Sequence, residues 1–299
     1  MAISTVRAQI NGQWYTLTLS GGQYQATINA PTVSSWGQPN HTYNVTVEAT
    51  NDAGTQASAD GATIPGLNLR VLEKIAPVIT VLSPSNGAYV NNNKQPVVFT
   101  VTDEAGGSGV NLESLVVKLD GNPVPSGEIT HQAIANGYQF TYTPASALGE
   151  GAHTVTADVS DNDGNAAAQA STTYTVDTVP PALNITAPTD GLITATSALV
   201  VSGTTNDATS SPVTVTIQLN GSDQGPVSVE RDGSFSKSVT LTEGANSIVI
   251  TATDTAGRVS SVTRNVTLDT SVPQIISASI TPNPVDAGQS MLISVVIEP

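Results

Sequence analysis

Asp161-Asn162-Asp163-Gly164 sets oxygen-bearing side chains on successive positions of a short turn. Hard cations such as calcium prefer oxygen donors of this kind. The segment is not an EF-hand, because glycine arrives at the fourth position and Thr172 stands where a bidentate glutamate belongs at the twelfth. Related turns occur at Asn51-Asp52-Ala53-Gly54 and Asp254-Thr255-Ala256-Gly257, with Ala53 and Ala256 in place of Asp163. Asp177 closes the last strand before a junction, and Glu73 and Asp269 hold the same place at the other junctions. The candidate metal ligands are therefore Asp161, Asp163, Asp177, Asp254 and Asp269. Calcium at module junctions, foremost the second, is the one cofactor these residues could hold. The competing account is turn chemistry, in which Asp and Asn bond their own backbone.

Catalytic chemistry finds little support. The three histidines are His41, His131 and His153. His153 falls where the neighbouring copies carry Tyr43 and Asn246, so its imidazole is not required by the module. No Gly-x-Ser-x-Gly, phosphate-cradling loop or zinc-spaced histidine pair is present. Acidic pairs such as Asp103-Glu104 and Asp161/Asp163 could serve glycoside hydrolysis, but aromatics make up only 4% of the chain, too few for a sugar cleft lined with platforms. The chain reads as non-enzymatic, with no catalytic residues.

The elements that carry these turns repeat. Val45–Gly54, Val155–Gly164 and Ile248–Gly257 align on their glycines with apolar residues in register: Val45, Val155 and Ile248, then Val47, Ala157 and Ile250. Each copy predicts a half-buried strand running into a turn where glycine supplies backbone freedom. Upstream of each lies Asn11-Gly12, Asp120-Gly121 or Asn220-Gly221, dipeptides that accept the positive φ of a type I′ hairpin. Pro77-Val78-Ile79, Pro181-Ala182-Leu183 and Pro273-Gln274-Ile275 open successive modules. The first two prolines are 104 residues apart and the last two 92, each the size of a seven-stranded sandwich.

The expected domains are a divergent N-terminal module at 1–74, modules at 75–177 and 178–269, and an incomplete segment at 270–299. Thirty residues cannot bury a core of their own, so the chain is a fragment of a longer array or a partner completes the last module. Short proline-bounded junctions predict a rigid row of modules exceeding roughly 100 Å at ~3.3 Å per strand residue.

Composition agrees. Thr, Val, Ser, Ala and Gly dominate, β-branched tracts alternate with period two, and no long 3.6-residue apolar stripe occurs. Net charge is −15, which opposes phosphate backbones and anionic lipid, so neither nucleic-acid binding nor membrane insertion is expected. There is no cysteine, hence no disulfide staple. The first residues lack a basic region followed by an apolar segment, so no secretory signal is expected.

In Trp14-Tyr15-Thr16-Leu17-Thr18-Leu19 the alternation puts Tyr15, Leu17 and Leu19 on a core face and Trp14 outward. Five of the nine Trp and Tyr residues lie in the first 43 positions, Trp36 among them. Trp14 and Trp36 are the candidate partner-binding residues. The competing account lays Trp14 flat on its own sheet.

Val176-Asp177-Thr178-Val179-Pro180-Pro181 and Leu268-Asp269-Thr270-Ser271-Val272-Pro273, with the turns at Asp161 and Asp254, resemble tandem bacterial immunoglobulin-like repeat proteins. The resemblance covers residues 75 to 270 well and the first 74 less well. It implies an all-β fold, tandem immunoglobulin-like β-sandwiches arranged end to end. That family occurs on phage tails and phage-like particles and in bacterial surface adhesins. Its calcium-rigidified members imply a shared ion where a loop meets a junction carboxylate. The expected role is a decoration, spacer or docking component of a phage tail or phage-like particle, assembled in the host cytoplasm. The alternative is an extracellular stalk segment of a surface adhesin, secreted or on the cell surface. The expected partner is a protein on a particle or cell surface, or a surface glycan.

Overall fold

A computed structural model describes residues 2–298. It is all-β: among the described residues there is no α-helix, only short 3₁₀ turns. The chain divides into two compact units, one ending at Val176 and the other beginning at Asp177.

In the first unit, the N-terminal part is one five-stranded sheet. Its order is Gln23–Gln25, Gln13–Ser20, Ile3–Ile10, Thr46–Asn51 and Gln56–Ala59, with a two-residue ladder between Tyr43–Asn44 and Asn68–Leu69 beside it. Residues 78–176 form a two-layer sandwich. One layer runs Ile129–Ile134, Gly137–Tyr142, Val97–Thr102, Val78–Ser83; the other runs Asn122–Pro123, Val116–Leu119, Gly151–Asp158, Ala170–Val176, Tyr89–Val90. Alternate residues point inward, so Val97, Phe99 and Val101 meet Val155, Ala157 and Tyr174 in a closed core.

The second unit repeats this plan. Ala182–Ala187, Ala198–Asn206 and Ser234–Thr240 face a five-stranded layer ordered Leu192–Thr194, Val259–Leu268, Gly244–Thr253, Thr214–Leu219, Ser222–Asp223. Val201, Ile217, Phe235, Ile248 and Ile250 fill its core. Beyond it, Gln274–Thr281 and Leu292–Glu298 form an antiparallel hairpin exposed along its whole length.

All three predicted hairpin turns carry positive φ at both central residues: 48° and 78° at Asn11-Gly12, 49° and 82° at Asp120-Gly121, 53° and 81° at Asn220-Gly221. The aligned strand positions are buried in two copies (Val155, Ala157; Ile248, Ile250) but Val45 and Val47 are only half-buried. The reason is architectural: the N-terminal sheet has no second layer of comparable size. For the same reason Leu19, expected on the core face, is 62% exposed, while Tyr15 and Leu17 are half-buried.

Candidate metal centres

Among the described residues two clusters of three carboxylates occur, and they are repeats of each other. In the first, Glu73, Asp103 and Asp161 bring one oxygen each to within 4.8 Å of the others; in the second, Asp177, Asp207 and Asp254 do the same. Each triad draws on three places in the fold. Glu73 and Asp177 precede a module. Asp103 and Asp207 follow the strands Val97–Thr102 and Ala198–Asn206. Asp161 and Asp254 begin the turn between the last two long strands of their module.

The local chain sets each side chain. Asp161 Oδ1 accepts the Asn165 amide and Asp254 Oδ1 accepts the Arg258 amide, both at 2.8 Å, the turn geometry that aspartate favours. Asn51 does the same for Thr55 in the N-terminal part, so the turn by itself needs no charge. Asp103 Oδ2 accepts the Gly109 amide at 2.7 Å, and Asp207 Oδ1 accepts the amides of Thr209 and Ser210 at 2.8 Å. A serine stands beside each junction carboxylate: Ser108 Oγ donates to Glu73, and Ser210 Oγ to Asp177.

These bonds leave oxygens over. Asp103 is 8% exposed and its Oδ1 has no hydrogen-bond partner; Asp254 is 6% exposed and its Oδ2 has none. Asp177 is fully buried. Among the described residues, the ion pairs are Arg7–Glu48, Arg70–Asp163 and His153–Asp120, none of which reaches either triad. Buried carboxylates without a counter-charge are costly. In the first triad the cost appears as titration. Burial, with the Asp161 carboxylate beside it, pushes the Glu73 carboxyl up to about 7. Burial and the adjacent Glu104 push Asp103 up to about 6. Asp161 is held below its ordinary value: burial opposes this, but bonds from Glu73 and Asn165 outweigh it. The donor set is oxygen only, with no His or Cys, and so fits a hard divalent cation better than zinc.

The five predicted ligands separate. Asp161 joins the first triad, and Asp177 and Asp254 join the second. Asp161 and Asp177 do not share a site, because Ala170–Val176 runs the length of the sheet between them, ~20 Å at ~3.3 Å per residue. Asp163 stands outside both triads. Its carboxylate accepts from Ser34 Oγ at 2.7 Å and the Glu73 amide at 3.2 Å, with Arg70 3.7 Å away, and so ties the N-terminal part to the sandwich. Asp269 is exposed and bonds Ser271 within its own turn. Asp207 carries no motif in the sequence, and Asp103 stands out there only as half of the Asp103-Glu104 pair. A signal was present: both lie 26 residues after a lead-in proline, Pro77 to Asp103 and Pro181 to Asp207.

Trp14 is 38% exposed, and the Arg7 guanidinium sits over its ring, 4.1 Å from the centroid. Arg7 in turn binds Glu48 across the sheet at 2.8 Å. Trp36 is half-buried and stacks on His41 at 4.0 Å. His153 donates or accepts at Asp120 (2.8 Å) and Gly149 (2.9 Å), and Asn246 makes the corresponding contacts, accepting from Asn220 Nδ2 and donating to the Thr242 carbonyl.

Residues 85–178 match the family of bacterial Ig-like domains, and residues 181–270 match domain B of glucodextranase. The match supports an array of bacterial immunoglobulin-like modules in tandem. Bacillopeptidase F of Bacillus subtilis (strain 168) is 27% identical over 210 residues, covering 67% of this chain and 14% of that protein. The repeat protein thus spans a small part of that relative's length. Among solved structures, the fibronectin(III)-like modules of Clostridium thermocellum CbhA superpose with a TM-score of 0.42 at 17% identity, over 64% of this chain and 94% of theirs. Domains A168–A170 of titin give 0.42 at 12% identity, over 89% and 90%. Tandem modules of this kind are structural or binding units.

Proposed function

We propose that the protein is a non-enzymatic spacer or docking array whose module junctions are braced by calcium, on an extracellular particle such as a phage tail. The observation that carries the reading is the recurrence of one buried carboxylate triad, with an unpartnered oxygen, in two successive modules. An enzyme has one reacting centre, whereas a part repeated in register has a mechanical role in every copy. A calcium ion supplies positive charge that lets three carboxylates sit together. Glu73, Asp103 and Asp161 would hold one, and Asp177, Asp207 and Asp254 the other. Each triad ties a residue of the lead-in segment to two residues of the following module, so an occupied site resists bending at the lead-in. The N-terminal part, with Trp14 at its surface, faces a protein partner on the particle.

Titration calorimetry with calcium tests the brace. Two sites per chain are expected in the wild type, one in Asp103→Asn or Asp207→Asn, and none in the double variant. No calcium heat in the wild type would refute it. Immunogold electron microscopy with an antibody to residues 178–269 tests the location. Label on purified particles supports the tail reading, and label on intact producing cells supports an adhesin stalk instead.

A further inference from the structure

The two triads correspond residue for residue, but their surroundings do not. Asp103 and Asp207 share one offset from a lead-in proline, so Glu104 corresponds to Ala208. Glu104 turns its carboxylate back towards Asp103: a methyl built on Gly107 would lie 2.7 Å from both Asp103 Oδ2 and Glu104 Oε1. Asp103 Oδ1 and Glu104 Oε2 are both buried and without a hydrogen-bond partner. A buried anionic oxygen in that state is costly. The first site therefore has a fourth carboxylate beside its three. Asp103 and Glu104 line one cleft together with Asn162, which gives an ion a way in. At the second site Ala208 is exposed and its side chain offers no oxygen.

The position after each turn glycine differs in the opposite sense. Asn165 is neutral, and its Nδ2 donates to Glu73 Oε1 at 3.0 Å and to Asp161 Oδ2 at 2.7 Å. Arg258 holds that place in the second module. Its backbone amide bonds Asp254 Oδ1, which roots a guanidinium at the edge of that triad. Arg258 Nε and Asp254 Oδ2 are both buried and both lack a hydrogen-bond partner. Four carboxylates give the first site a formal charge of −4, while three carboxylates and one guanidinium give the second −2. Asp163, next along the first turn, does not alter this difference, because Arg70 offsets it. The charge carried by the ligands is a main determinant of how tightly an oxygen site holds calcium.

We propose that the two sites load in order: the Glu73–Asp103–Asp161 site, with Glu104 beside it, takes calcium at least tenfold more tightly than the Asp177–Asp207–Asp254 site, where Arg258 opposes the ion. This rests on the calcium reading above and adds a sequence to it. As calcium rises, the lead-in at Glu73 is braced first and the lead-in at Asp177 later, so the array stiffens in two steps.

Calcium titration calorimetry on the full chain tests the order. The wild type should show two classes of one ion each, separated at least tenfold. Asp103→Asn should remove the tight class and Asp207→Asn the weak one. Glu104→Gln should loosen the tight class at least fivefold and leave the weak one unmoved. Ala208→Glu and Arg258→Asn each import the residue that the other module carries, and each should tighten the weak class at least fivefold. Circular dichroism checks that each variant folds; Glu104→Gln and Ala208→Glu lie in different modules, so either decides the matter if the other misfolds. Two classes of equal affinity, or a tight class that Asp207→Asn removes, would overturn the order and leave the brace standing. No calcium heat in the wild type would overturn both. A single class that Asp103→Asn removes, joined by a second in Arg258→Asn, would uphold the order and reduce the wild-type braces to one.

Discussion

Chelation should destabilise this protein in a manner that depends on pH, and the first triad sets the size and sign. Oxygens of Glu73, Asp103 and Asp161 lie within 4.8 Å of one another. Two unit charges at that distance repel by ~3.5 kcal/mol at an effective dielectric near 20. Three such pairs approach the whole stability of a domain, ~5–15 kcal/mol, so a fully ionised triad without a cation is not sustainable. Glu73 and Asp103 are held above their ordinary values, at about 7 and about 6. A group raised in the folded state contributes stability that is present below its unfolded value and lost as pH rises through the folded one. The chelated protein should therefore melt higher near pH 5 than near pH 8. Asp161, held low, reverses the trend only in strong acid, where its carboxylate is protonated. Calcium at a hundred times its dissociation constant contributes ~2.7 kcal/mol, or about 10–20 °C for a module of ~100 residues that melts by itself. The gain should be largest at pH 8 and shrink towards pH 5, where protons compete for the same oxygens. Differential scanning calorimetry across pH 5–8, with calcium and with chelator, reads this directly. Two superimposable sets of traces would refute the reasoning.

Other expectations follow from the same geometry. Asp254→Asn should keep its turn, since Asn51 caps the corresponding turn, but abolish the calcium response of residues 178–269, as read from the upper or lower of two melting transitions. His153→Asn should cost under ~1 kcal/mol because Asn246 fills the same role in the next module, bonding the carbonyl four residues before it. The variant should also lose a pH effect. Burial lowers the His153 value, but the Asp120 carboxylate and Gly149 carbonyl raise it further, so wild-type stability falls as pH rises through that raised value. Gly203→Ala drives a methyl into the Asn184 carbonyl and to 2.7 Å from the Phe235 ring, and should destabilise its module by ~2–4 kcal/mol in urea titration. Trp14→Ala should cost ~1 kcal/mol or less, the worth of an exposed cation–π contact with Arg7, and should abolish docking if the N-terminal part is the anchor. Retained pull-down of the partner would exclude that role.

The fold was readable because its determinants are local. An alternating strand, an Asn-Gly or Asp-Gly turn and a lead-in proline each act within a few residues, and each recurs, so three weak signals reinforce one another. Burial was less readable, and Leu19 shows why. Its alternation correctly marks a face of the sheet, but whether that face is covered depends on a second layer that the N-terminal sheet lacks. The triads were half readable for a related reason. Asp161, Asp177 and Asp254 stood out because each sits beside a turn or a junction with its own signature. Asp103 and Asp207 each follow an ordinary strand and have no local mark, only a common offset from a proline. Assigning partners required the strand direction. The Asp161 turn joins two antiparallel strands, so it lies at the opposite end of the sheet from Val176 and must meet the preceding junction residue, Glu73, instead of the following one. The same reasoning places Asp254 with Asp177 and leaves Asp269 alone at the far end of Val259–Leu268. An aspartate there can complete a triad only if a further module supplies an aspartate after its second strand and an acidic turn. The N-terminal sheet offers Asn51 in that turn, and asparagine keeps the cap but not the charge.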